Sequence, residues 1–328
     1  TKGMTMAGIT GMATTYNCPN YVGELFAASP EDTPLLSSIG GLTGGVSVGG
    51  TTFSWSGYDL RDAEDGRQRT EGATAPAAEG RARFAASNVV EVRQEKVSVS
   101  YTKQGATKQV TPASGATTVT IGDTVLPADE LAWQIGTEMK QIARDVEKTF
   151  IVGKYASPTD NQTPRKTRGL IEAITTNVAT TTHKAAELTE ADVLDLIEKV
   201  WTNGGLQEGE TRTIIVNSKL KRALTRVFIK DAKYQEGTRN VGGVNLKTLE
   251  TDFGVMNVML NRYVPADKLI VASLEQLAPA FLEIPGKGHF FAEPLAKTGA
   301  SDDVQIYGEI GLQYGNEKAH GVLTVAAD

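Results

Sequence analysis

Apolar positions along this chain change period several times. The clearest run is Leu131, Ile135, Met139, Ile142, Val146 and Phe150, at steps of 4, 4, 3, 4 and 4. That spacing puts one stripe on an α-helix. Pro127 and Asp129 open it, Asp129 as an N-cap or first-turn acid. Glu138, Lys140, Arg144, Glu147 and Lys148 fall on the other faces. Roughly 22 to 25 residues at ~1.5 Å each span roughly 35 Å, long enough for the spine of a domain. Gly153, Ser157-Pro158 and Thr163-Pro164 end it.

Residues 51–101 read as a long hairpin. Phe53 and Trp55 alternate on one strand; Val97, Val99 and Tyr101 alternate on the other, after Val90 and Val92. The tip of about thirty residues exceeds the ~12–15 that structureless loops usually reach, which marks it as functional or disordered. Ahead of it, Tyr21, Val22, Leu25 and Phe26 form a short amphipathic piece. Thr33-Pro34 then starts a second, with Leu35, Leu36 and Ile39 inward and Gly40-Gly41 closing it. This glycine-hinged arm has too little apolar surface to repay its own ordering, so it must lie on something else.

Beyond 102–127, polar except for a strand at 117–121, a second region begins near 185. Thr189 and Asp192 resemble a capping pair ahead of Val193, Leu196, Ile197, Val200 and Trp201. Thr211 to Val216 is a buried-type strand. Asn217 or Ser218 caps a helix with Leu220, Ala223, Leu224 and Val227 inward. Its basic residues, Lys219, Lys221, Arg222, Arg226 and Lys230, fit a solvated face or a nucleic-acid contact. Strands follow at 255–260, 269–272, 280–284, 304–313 and 322–326, so the chain is α+β. No repeat of 20–50 residues is present.

Composition narrows the function classes. The 328 residues carry a net charge of −6, which disfavours a dedicated nucleic-acid-binding domain. One cysteine, Cys18, excludes an intramolecular disulfide framework and a cysteine-based zinc site. His183, His289 and His320 lack metal-ligand spacing. No apolar run approaches the ~18 residues of a membrane span. Phosphate loops, nucleophile elbows and zinc-protease motifs are missing. No catalytic, cofactor or metal site is therefore expected. From Asp59 to Lys96 the hairpin holds eight acids and seven bases, interspersed. Asp59, Arg61, Asp62, Arg67, Arg69, Glu71, Arg81 and Arg83 are either a solvated loop or an arm that pairs with a neighbouring subunit.

The order of parts, an arm, a charged hairpin, a spine helix, a mixed α/β region and returning strands, resembles the major capsid proteins of tailed double-stranded DNA phages, the Hong Kong 97-like fold. Local words are similar to a branch found in actinobacterial and related phages: Asn20-Tyr21-Val22-Gly23-Glu24-Leu25-Phe26, Pro30-Glu31-Asp32-Thr33-Pro34-Leu35-Leu36, Ile39-Gly40-Gly41, Tyr58-Asp59-Leu60-Arg61-Asp62, Glu71-Gly72, Val99-Ser100-Tyr101-Thr102, Ala143-Arg144-Asp145-Val146-Glu147 and Thr167-Arg168-Gly169-Leu170. The resemblance implies an N-terminal arm (1–50) packing through Tyr21, Leu25, Phe26, Leu35 and Leu36, and an extended loop (51–101) lying over an adjacent subunit. It implies a peripheral domain with the spine helix (102–184), an axial domain (185–285) and C-terminal strands returning to the peripheral domain (286–328). The implied function is self-assembly into hexamers and pentamers of an icosahedral shell around double-stranded DNA, in the virion, after assembly in the host cytoplasm. The DNA would be touched only weakly. A portal, a separate scaffolding protein and a decoration protein are the implied partners, with no membrane.

Two features depart from some relatives. Those relatives weld subunits by a Lys–Asn isopeptide bond from the extended loop, but no lysine lies between residues 57 and 95 here. A guanidinium stays protonated and is no nucleophile, so no covalent cross-link through this loop is expected. The arm words also start by residue 20, so scaffolding is expected from a separate protein, or none at all. The rival readings are the shell of a bacterial nanocompartment, which shares the fold and encloses enzymes, and a monomeric α/β enzyme with a hidden site.

Overall fold

The computed structural model describes residues 31–58, 60–61, 63–81, 83–106, 118–121, 124–127, 130–160, 162–231 and 248–327. Tyr21, Leu25 and Phe26 of the arm, Asp59 and Asp62 of the hairpin, and the helix-opening Asp129 lie outside the described residues.

The described chain begins with α1 (Pro34–Ser38), which buries Leu35 and Leu36. Positive φ at Gly40 and Gly41 turns it toward β1 (Val46–Val48), a conformation that glycine adopts freely. Next come β2 (Thr52–Tyr58), β3 (Arg83–Val89), β4 (Glu91–Ser100) and α2 (Tyr101–Ala106), then the small ribbon β5 (Thr118–Ile121) and β6 (Thr124–Pro127). The predicted spine is α3 (Glu130–Val152). At its end Gly153 and Gly169 allow two backbone segments to touch. A Cβ on Gly169 would sit 2.5 Å from the Gly153 nitrogen. Then follow α4 (Leu170–Ala173), β7 (Val178–Lys184), α5 (Glu190–Thr202), β8 (Arg212–Val216) and α6 (Ser218–Thr225), which runs on as a wider turn to Asp231. The expected capping box of Thr189 and Asp192 is present on α5, and Asn217 caps α6. The chain finishes with β9 (Thr248–Thr251), β10 (Gly254–Leu260), β11 (Lys268–Ser273), β12 (Ala278–Leu282), β13 (Phe290–Pro294), β14 (Ser301–Gln313) and β15 (Gly321–Ala326).

Two sheets carry the body. In the five-stranded sheet β14 is central, with β4 and β13 antiparallel on its two sides, β12 continuing beside it and β1 parallel to β12. One face sends Val97, Val99, Ile306 and Ile310 into a core with Ile142, Val146 and Phe150 of α3. The six-stranded sheet runs β7-β15-β11-β8-β10-β9. Its strands alternate between two cores. Ile215, Ile270, Ala272 and Val322 join the α3 core. Ile214, Val216, Leu269, Val271, Leu323 and Val325 join a second core, roofed by Val193, Leu196 and Ile197 of α5 and Leu220 and Leu224 of α6. Burial on both faces explains the unbroken apolar runs of β8 and β11.

Several expectations are corrected. The partner of β2 is β3, with Thr52 opposite Val89 and Tyr58 opposite Arg83. Val97 and Val99 belong to β4, which pairs with β14, and Tyr101 begins a helix. The hairpin therefore ends near residue 89. Within the arm expected at 1–50, α1 and β1 pack on their own chain. The sheets also cross the boundary expected at 285. β12 pairs with β14, while β15 pairs with β11 and β7 and not with the sheet beside the spine helix. Glu147, expected on an outer face of the spine helix, is fully buried.

Candidate assembly surfaces

The β2–β3 ribbon has its root in a small core of Phe53, Val90 and Ala280, with Trp55 packed against it. The Trp55 ring meets Tyr314 edge-on at 4.8 Å, and its Nε1–H donates to the Gly315 carbonyl at 2.7 Å. Farther out the support stops. Every described residue from 60 to 85 is exposed. Tyr58 and Leu60 are 71% and 69% accessible, and Phe84 lies over Gly57, where a Cβ would fall 2.2 Å from the ring. This outer half is a ribbon with apolar side chains and no core of its own.

Its charges are organised within the loop. Arg67 donates to Glu64 at 2.9 Å and to Glu79 at 2.8 Å, and Arg81 reaches Glu79 at 3.2 Å. Arg61 lies 3.9 Å from Glu64. Hydrogen bonds from Arg67 and then Arg81 hold the Glu79 carboxyl below its ordinary pKa. Of the eight hairpin residues singled out above, Arg61, Arg67 and Arg81 thus pair inside their own loop. Arg69, Glu71 and Arg83 make no ion pair among the described residues.

The spine stripe divides along its length. Ile142, Val146 and Phe150 are buried, whereas Leu131, Ile135 and Met139 are half-buried at the edge of the same core. Near the buried end lies a group that the sequence pattern hides. Glu147 accepts the Leu35 amide at 2.9 Å, the Leu36 amide at 2.6 Å, and a bond from the Asn261 side-chain amide. Burial pushes this carboxyl up, and the three hydrogen bonds pull against that rise. Thr33, expected to cap α1, makes no capping bond with its side chain, so Glu147 does the capping from the spine. The words 30–36 and 143–147, quoted separately above, meet at this carboxylate.

The histidines have structural partners. His183 Nδ1 lies 2.8 Å from Asp192, the carboxylate that caps α5. Burial raises the Asp192 pKa, but bonds from Thr189, Thr181 and His183 outweigh it and bring the group down to about 2. His289 stacks on Phe281 with 4.4 Å between ring centres. His320 is fully buried, its Nε2 2.9 Å from the Tyr314 carbonyl and its Nδ1 accepting the Ser273 amide. On the basic face of α6, Arg226 binds the carbonyls of Ala186 and Leu188. No cluster suited to a metal ion occurs among the described residues, and no described helix is long and apolar enough to cross a membrane.

A spine helix on one sheet, a stand-off hairpin and a second sheet under two helices make up the Hong Kong 97-like fold. The cyanophage A-1(L) capsid asymmetric unit superposes with a TM-score of 0.66 at 12% identity, over 97% of this chain and 99% of that one. The holo-SrpI encapsulin complex of Synechococcus elongatus PCC 7942 gives 0.54 at 11% identity, over 95% and 92%. In sequence, the major capsid protein of Escherichia phage Phieco32 is 23% identical over 354 residues, 91% of each chain. The family model of the SU10 major capsid protein matches residues 8–327, and the chain belongs to that family.

Proposed function

We propose that this chain builds its icosahedral phage shell by lending the β2–β3 hairpin to a neighbouring copy. The observation that carries this is the outer ribbon, where Tyr58, Leu60 and Phe84 stay exposed with no core beneath them. Exposed apolar side chains on a rooted, two-stranded arm suit burial against a second subunit. Arg69, Glu71 and Arg83 supply charge for that contact, while the Glu64–Arg67–Glu79–Arg81 network shapes the tip. Many weak contacts, repeated around hexamers and pentamers, sum to a durable shell. In this reading the body around α3 is peripheral, and the unit roofed by α5 and α6 is axial. In this reading Leu131, Ile135 and Met139 meet another copy.

The role is structural, and none of the three histidines acts in catalysis. DNA is the contained cargo, touched weakly. A scaffolding protein, a portal and a decoration protein are partners in this reading, with assembly in the host cytoplasm. The encapsulin likeness is one of fold. The family match and the phage relative favour a genome container over an enzyme container.

Electron microscopy of the purified protein tests the reading: closed shells of one size are expected, and a monodisperse monomer overturns it. Nuclease-protected DNA in particles from infected cells separates a genome container from one holding an enzyme. Because no lysine lies between 57 and 95, shells should dissolve to a single band on a denaturing gel. A ladder of covalent oligomers would contradict non-covalent joining by this loop.

A further inference from the structure

Building on the shell reading, the geometry points to Glu147 as the positioning residue that fixes the register of residues 31–36 along the spine helix. Three donors converge on its two oxygens: the amides of Leu35 and Leu36 and the side chain of Asn261. The surroundings supply donors, so the site suits a carboxylate and no neutral isostere. Asn261 is itself fixed. Its Oδ1 accepts the Tyr263 backbone amide at 2.9 Å, and its backbone N–H donates to the Val216 carbonyl at 2.8 Å. The clamp thus joins three separate parts of the chain: the arm, the spine helix and the end of β10. All three groups are buried, so water cannot replace the lost acceptor cheaply.

The clamp also sets a direction. Glu31 pairs with Lys140 at 2.8 Å, and Asp32 pairs with Arg262 at 3.0 Å. Residues 31–36 therefore run beside α3 from Lys140 to Glu147. Those two ion pairs are exposed, and such pairs hold a segment weakly. The buried carboxylate, with the burial of Leu35 and Leu36, is what keeps the register.

The test uses Glu147→Gln and Asn261→Ala in the full chain. Glutamine places an NH₂ among donors, so deuterium exchange in a peptide covering 31–39 should rise at least tenfold. Protection elsewhere should persist. Asn261→Ala, which spares both amide bonds, should give a smaller rise in the same peptide. Uniform closed shells should give way to irregular or open particles for Glu147→Gln. Unchanged exchange in that peptide for both variants would overturn the proposal, as would an equal loss of protection along the whole chain in both. Failure of the wild-type chain to form shells would instead defeat the assembly reading, and the exchange data would still judge the clamp.

Discussion

The outer β2–β3 hairpin and the centre of the six-stranded sheet are both antiparallel strand pairs, yet they solve opposite problems. Around Ile214–Val216 and Leu269–Ala272 each side chain enters one of two cores, and the chain buries both faces itself. In the hairpin, pairing continues to Tyr58 and Arg83, but the burial stops near Trp55. Backbone pairing alone gives a ribbon marginal stability. One region therefore fixes the subunit, and the other, in the proposed reading, is completed by a neighbouring copy. The same strand geometry is covered from within in one region and left uncovered in the other.

The largest expected effect separates these roles outright. Replacing residues 60–81 with an Asn-Gly turn removes the tip but keeps the rooted strands. Closed shells should disappear, while the thermal midpoint of the free subunit stays within a few degrees. Shells of normal size from that variant would show that the tip is only a solvated loop. The converse substitution is Ile270→Ala, at the centre of β11 with no exposure. It should cost about 2–5 kcal/mol in denaturant unfolding, the usual range for emptying such a position. A loss below about 1 kcal/mol would mean that the double-sided core is not the fold's anchor.

Acid sharpens the comparison from the buried side. His320 lies between β14 and β15, and burial holds its pKa down to about 4, against some help from the Tyr314 carbonyl. The folded state keeps the ring neutral, whereas the unfolded chain protonates near the ordinary 6.5. The stability it contributes is complete above that value and is lost as pH falls from 6.5 toward 4. At about 1.36 kcal/mol per pKa unit, the loss approaches 3 kcal/mol. Glu147, raised by burial, acts with the opposite sign over a window above the ordinary carboxylate value. The difference between wild type and His320→Asn isolates the histidine. A parallel pH dependence for the two proteins would sink this account.

What the sequence made legible follows the same division. The α3 stripe and the runs of β8 and β11 were readable because burial imposes a period on them. Strand β3, Arg-Phe-Ala-Ala-Ser-Asn-Val, packs on little and carries no clear alternation. The pattern of Val97 and Val99 one strand later captured the pairing instead, although those residues serve β14. Strand β7 was hidden for a related reason. It is an edge strand, rich in threonine and half-exposed. Glu147 was hidden by charge: an acid beside the helix stripe reads as solvent-facing, and the amides it caps lie 111 and 112 residues away. The words 30–36 and 143–147 hold two of the three parts of that clamp, but their resemblance to a family does not indicate that they meet.

The smallest expected effect lies at the hairpin tip. Arg67 binds Glu64 and Glu79, with all three side chains substantially exposed. Exposed pairs are screened and contribute little to folding. Arg67→Ala should therefore leave the unfolding midpoint of the free subunit unchanged. Its effect should appear only between copies. Loss of Arg67 frees Glu79 from its main partner and leaves Glu64 with Arg61, so the tip loses shape and gains negative charge. If the tip meets a neighbour, variant shells should dissociate at lower salt or denaturant than wild type, read by light scattering. Equal dissociation midpoints for the two shells would assign the network to the loop alone and leave Tyr58, Leu60 and Phe84 as the contact.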